Sequence, residues 1–372
     1  MIAQSENVSK VNDFRRFDYQ PWQMEHSIGV RSKKKQVKLD RTTKGMDAAE
    51  VGKETQDVFQ NVHDNNLTAT NVIYPASILE GSSHRDGAIY KESWEPCYNM
   101  DMADRNETAS DLKKLTRAFN CHPDQENCVT HVPSGMMQIF SLRLAKAPIN
   151  SGPLQIYGYM GARDDMDGLL NYVFNRSRDD PVIVQQGSLI EMTGPKRGIL
   201  MLSDVLFEFD MRIKTGETEE HDIQLIDGLI HYEDRISYDT PFTIRISGDC
   251  GAVDMSFTAV EFGVEAIIEV TVSEVQSDFN MSLSSIVHIE EVCKEIQLFD
   301  GVAGQMGIKR SAVAVPLDTT MHLKVKIGQK GSDNEAVHYY SFDARLHGCT
   351  NRQIKLAMAC ISMKVTWRPP LY

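Results

Sequence analysis

Between Met136 and Trp367 the chain is built from short apolar runs with a period of two, and this restricts it to sheet architectures. Phe207, Phe209, Met211 and Ile213 alternate with Glu208, Asp210 and Arg212, as a half-buried antiparallel strand requires. Val182–Met192 is rich in β-branched residues and runs into the turn signal Gly194-Pro195. Further strand signals follow at 223–232, 242–246, 253–260, 264–275, 283–289, 296–299, 312–315, 321–327, 339–346 and 354–367. No apolar stripe of helical length interrupts them, which disfavours parallel βαβ construction. The expected fold is mainly β, an antiparallel β-sandwich of paired sheets over residues 133–372.

Residues 1–132 read differently. They are rich in Asn, Asp, Lys, Ser and Thr and offer little apolar surface against chain entropy, so a largely irregular or disordered region is expected. Two short helices are expected within it, over Asp47–Val62 and from Ser110 to Phe119, together with a strap around Trp94.

The formal net charge is −13, most of it beyond residue 132, which argues against nucleic-acid binding. No apolar run approaches the roughly 18 residues of a membrane span, and the first residues show no secretory h-region. The seven cysteines are scattered, a pattern of reducing compartments rather than of a disulfide scaffold. These features point to a cytoplasmic protein that is not secreted. The basic run Arg31–Lys44 offers a nuclear-localisation signal, with a solvated segment as the plainer reading.

The densest charge lies in Gly161–Pro181, where Arg-Asp-Asp occurs twice. Arg163, Asp164, Asp165, Asp167, Arg176, Arg178, Asp179 and Asp180 are the candidate binding residues. Clustered carboxylates suit a hard cation, but guanidinium groups among them oppose one. The preferred reading is therefore a network in which Arg163, Arg176 and Arg178 pair with neighbouring aspartates and brace a loop. Cys121, His122, Cys128 and His131 could ligate zinc, but adjacent ligands at 121 and 122 suit a tetrahedron badly. No metal or cofactor is expected. Gly-x-Ser-x-Gly, P-loop and His-Glu-x-x-His words are absent, and the strand histidines read as structural. A faint repeat links Gly194-Pro195-Lys196-Arg197 to Gly307-Ile308-Lys309-Arg310, each followed by an apolar run, a turn and an alternating strand. Two related hairpins in one sandwich would produce it, as would chance.

Four words in order, Met137–Leu142, Tyr157–Asp164, Phe174–Asp180 and Met192–Gly198, resemble a plant domain of unknown function expanded in grasses. Some of its members are joined to ribosome-inactivating N-glycosidase domains or labelled jasmonate-induced. The resemblance covers roughly 135–370 and implies a β domain in a stress or defence setting, with no established activity. An N-glycosidase needs Glu-x-x-Arg on a helix, and this chain contains no such word, so it resembles the non-catalytic partner domain alone. Two functions follow: a non-enzymatic accessory or protein-binding domain, and, as the alternative, an enzyme whose site assembles around the Arg-Asp-Asp segment. Oligomeric state is not readable from the sequence.

Overall fold

One strand of 22 residues, Ala252–Ser273, organises the rest of the molecule. The computed structural model describes residues 72–109 except 93 and 99, and then 131–148, 152–233, 238–290, 292–304, 309–329 and 335–369. The two helices expected over Asp47–Val62 and Ser110–Phe119, the basic run and Cys121, His122 and Cys128 lie outside the described residues.

In chain order the strands are β1 (Ile73–Pro75), β2 (Ser134–Lys146), β3 (Leu154–Arg163), β4 (Asn171–Arg176), β5 (Val182–Val184), β6 (Leu189–Ile190), β7 (Ile199–Leu200), β8 (Val205–Ile213) and β9 (Ile223–Tyr232). They continue with β10 (Phe242–Ser247), β11 (Ala252–Ser273), β12 (Phe279–Ile289), β13 (Val292–Ala303), β14 (Lys309–Pro316), β15 (Thr320–Gln329), β16 (Glu335–Asp343), β17 (Gly348–Lys355) and β18 (Cys360–Arg368). Pairing is antiparallel throughout these strands except between β1 and β10. The mainly β, paired-sheet expectation is met. No helix among the described residues is long and apolar enough to cross a membrane.

A nine-stranded sheet packs against two smaller sheets, one ordered β4-β3-β8-β9 with β5 on β3, the other β13-β12-β15-β16. Each pairing encloses its own apolar core. Val253, Met255, Phe257 and Ala259 of β11 join Phe207, Phe209, Met160 and Ile156 in one core. Val260, Val264, Ala266, Ile268 and Val270 join Leu283, Val287, Leu323 and Val325 in the other. Ala259 and Val260 are neighbours yet serve different cores, and adjacent residues of a strand point to opposite faces. The two smaller sheets therefore lie against opposite faces of the large one, and β11 changes partner across the register shift between Val260 and Gly263.

The two sandwiches share one topology. In the first, β2 pairs with β7 and with the first half of β11, which pairs with β10. In the second, the last part of β11 pairs with β14 and with β18, which pairs with β17. The facing sheets correspond as β4, β3, β8, β9 to β13, β12, β15, β16. The repeat seen in the sequence is thus a tandem eight-strand module, with β5 and β6 as additions to the first copy. The Lys-Arg pairs of the two words stand at equivalent places, Lys196-Arg197 before β7 and Lys309-Arg310 at the start of β14. The expected hairpins in a single sandwich are corrected in two respects. One falls in each sandwich, and each crosses from sheet to facing sheet, since β7 and β14 pair in the large sheet while β8 and β15 pair in the small ones.

Candidate functional site

Residues 72–109 form a strap over the outer face of the first small sheet. β1 begins it on the edge of β10. Ala76 N donates to Arg245 O at 2.9 Å and Leu79 N to Leu229 O at 2.8 Å, so the strap passes from one sheet edge to the other. Ile89, Met100 and Met102 then bury against Leu206 and Leu229, with Trp94 packed beside them and its Nε1 donating to Ile89 O at 2.9 Å. Thr108 N and Leu170 O, at 2.9 Å, tie its far end to the turn after β3. The crossing needs Gly228, whose φ is 134° and where a Cβ would stand 2.6 Å from Ile78 Cγ2.

Beneath the strap sits a polar cluster that the alternation of β8 placed on a solvent-facing side. Glu208 is fully buried, as is Arg163. Glu208 Oε1 accepts from Tyr159 Oη at 2.6 Å, Arg105 Nη1 at 2.8 Å and His84 Nε2 at 3.0 Å, and its Oε2 accepts from Arg163 Nε at 2.8 Å. His84 Nδ1 donates to Asp227 Oδ1 at 2.6 Å. Asp227 also accepts from Ser83 Oγ at 2.8 Å and from the amides of His84 and Arg85. Burial alone would push the Glu208 carboxyl up, but the His84 hydrogen bond and the Arg163 charge outweigh it and hold the carboxyl at about 2. Asp227 is held at about 2 in the same way, burial being outweighed by its bonds to His84, to Ser83 and to backbone amides. For His84 burial acts downward, and the two carboxylates more than offset it, so its pKa is raised.

A histidine between two carboxylates has the outline of an acid–base site. Here each ring nitrogen faces a carboxylate, and both carboxylates are engaged by further donors. The cluster fastens the strap to the sheet. Sequence reasoning missed Glu208, His84, Arg105 and Asp227 because the strap that covers them is remote in sequence and carries no motif.

The Arg-Asp-Asp residues do not form one loop. β4 runs through the segment, and the pairing of Gly158 with Arg176 and of Ala162 with Asn171 puts the two triplets at opposite ends of the β3–β4 hairpin. At about 3.3 Å per residue they are some 20 Å apart. Nor do the arginines pair as expected, Arg176 excepted, which meets Asp180 at 2.9 Å. Arg163 reaches Glu208 and the carbonyls of Gly168 and Asp104, both at 2.8 Å. Arg178 meets Asp222 at 2.7 Å. Asp164 is taken by Arg197, at 2.6 and 2.7 Å, and by Leu200 N at 2.8 Å; Asp167 lies 3.1 Å from Arg197. Asp165 and Asp179 have no ion-pair partner among the described residues. The reason is geometric: a strand separates near neighbours in sequence and offers them to other strands. Arg197, within the Met192–Gly198 word, was legible as a residue but not as the partner of Asp164.

His131 stands 3.1 Å from His347, and no group of three His, Cys, Asp or Glu residues suited to a metal occurs among the described residues. His322 is pushed down to about 4, by burial first and then by His288.

Among the described residues there is an apolar cavity of ligand size. A cleft of about 630 Å³ opens between the edges of β9 and β10 beneath the crossing strap, lined by Tyr74–Glu80, Ile230–Tyr232, Thr240, Phe242 and Ile244. Tyr232 and Phe242 of its lining pack on the buried Phe257 behind them, at 4.8 and 4.3 Å between ring centroids. None of His84, Arg163, Glu208 or Asp227 lies in its wall.

Human GIVD cytosolic phospholipase A2 matches with 9% identity over 64% of this chain and 33% of its own, at a TM-score of 0.21. The chain thus spans about a third of that enzyme. The calcium-bound tandem C2 domains of extended-synaptotagmin 2 match with 10% identity over 65% of this chain and 99% of theirs, at 0.23. Likenesses at this level carry no functional argument. No curated protein matches the sequence. A family model described as a domain of unknown function, DUF6598, matches residues 136–366, both sandwiches, and the chain belongs to that family.

Proposed function

We propose that this chain is a non-enzymatic β domain that binds another protein through the apolar cleft and the exposed edge at β1. The observation that carries the reading is the contrast between the two candidate places. The titratable cluster is engaged by its own partners, whereas the cleft is open and walled mainly by aromatic and aliphatic side chains. The alternative, an enzyme centred on the Arg-Asp-Asp residues, loses support because those residues are divided between two ends of a hairpin. The stress or defence setting implied by the plant resemblance is the context in which a partner would be sought.

The test is affinity capture from plant extract with the intact protein beside Ile78→Lys, which places a charge at the cleft on a residue that is already partly exposed. A partner recovered by the wild type and lost with Ile78→Lys supports the reading. Recovery that is equal for both, or no reproducible recovery, overturns it.

A further inference from the structure

β1 is a short sheet edge. Among the described residues it is hydrogen-bonded to β10 and to no other strand. It displays Ile73 and Tyr74 at 41% and 52% exposure, and Val72 just before it is 57% exposed. β1 is three residues long and has no charged residue, and its Pro75 carries no N–H, so the unpaired side is short and offers more acceptors than donors. The unpaired side of a strand presents backbone donors and acceptors at a fixed spacing, which an extended peptide can match. Tyr74 both belongs to this edge and lines the cleft, so a strand added there would run past the cleft mouth.

The cleft has two further features. Tyr232 is desolvated, which raises its pKa, and its hydroxyl has no hydrogen-bond partner among the described residues. The surroundings are acidic. Glu80 lines the cleft, and Asp239 adjoins the lining residue Thr240. Asp239 has a raised pKa, through burial and then through the nearby charges of Glu290 and Glu261. None of these four carboxylates has an ion-pair partner among the described residues.

We infer that the occupant of the cleft is an extended peptide segment of a partner protein that pairs with the open edge of β1, seats an aliphatic or aromatic side chain on the Tyr232–Phe242 floor and brings a lysine or arginine to Glu80 and Asp239. The proposal rests on the cleft being the binding site. Backbone pairing supplies affinity that is indifferent to sequence, the floor selects one apolar anchor, and the acidic rim selects charge.

The experiment selects peptides from a random phage-displayed library on the intact protein and measures the winners by fluorescence anisotropy. Expected are sequences with alternating apolar residues and at least one Lys or Arg. Binding should fall about tenfold or more with Glu80→Lys at low salt, an effect that shrinks as salt is raised. It should fall similarly when alternate backbone nitrogens of the peptide are methylated, a change that leaves the protein untouched. If methylation has no effect while Ile78→Lys still abolishes binding, strand addition is wrong and the cleft reading stands. If winners bind wild type and Ile78→Lys alike, the site lies elsewhere and both fail. Selection of no peptide, with a small apolar dye binding the wild type and not Ile78→Lys, overturns the peptide occupant in favour of a small ligand.

Discussion

At the scale of single residues, the informative side chains are those whose partners come from far along the chain. Arg163 and Glu208 are both fully buried, and removing Arg163 strips Glu208 Oε2 of its charged donor, leaving only Arg105 and His84 at Oε1. Arg163→Met should therefore lower unfolding stability by about 3–5 kcal/mol. Arg176→Ala, which breaks a pair with the exposed Asp180, should cost about 0–1 kcal/mol. Urea denaturation of both variants checks the contrast, and equal losses would contradict the burial argument. The same cluster sets a pH window. His84 has its pKa raised on folding, so its contribution is complete below its unfolded value near 6.5 and is lost as pH rises through the folded value. Glu208 and Asp227 are lowered to about 2, so theirs is complete above the ordinary carboxylate range and is lost as pH falls toward 2. Stability measured against pH should decline on both sides in the wild type, and His84→Gln should flatten the alkaline side. An alkaline limb that is identical in the two proteins would exclude His84 as its source.

At the scale of elements, the strap is the part whose role composition concealed. Its run from Val72 to Glu107 is polar enough to read as loose chain, yet Ile89, Met100 and Met102 are buried on the outer face of a sheet. A few apolar residues without periodicity suffice when a preformed surface, here Leu206 and Leu229, supplies the other half of the contact. Gly228→Val should interfere with the crossing at Ile78 and Ser82 and cost about 1–3 kcal/mol of strap attachment. Limited proteolysis would show faster cleavage within 77–92, with amides of β3 and β8 keeping their protection. Unchanged cleavage would mean that the strap is held by its other fastenings alone. The Arg-Asp-Asp segment teaches the converse. Its charge was legible, but a six-residue strand inside it sends the two triplets to opposite ends, and pairing in a sheet follows register rather than proximity in sequence.

At the scale of the whole molecule, β11 serves both cores through its length, so neither sandwich can lose it alone. Hydrogen exchange in β3 of the first sandwich and β12 of the second should therefore report one common opening free energy for the slowest amides. Clearly separate values would show that the sandwiches open independently. The tandem arrangement also sets the two copies apart. The first has its edge at β10 extended by β1 and its outer face strapped, while the corresponding edge of the second, β17, has β18 as its strand neighbour among the described residues. The proposed binding is accordingly placed in the first copy, where residues of the strap line the cleft.

By itself the sequence determined the fold class, since period-two alternation from Met136 to Trp367 can be satisfied only by sheets with one face buried. It also carried the family words and the trace of the repeat. Alternation states that a side chain leaves the core, not what meets it on the other side, so Glu208 could be read as facing outward but not as buried under His84 and Arg105. The division into two cores, the path of the strap beyond the segment expected at Trp94, and the cleft were decided by the tertiary structure, because each depends on long-range register and on residues that only folding brings together.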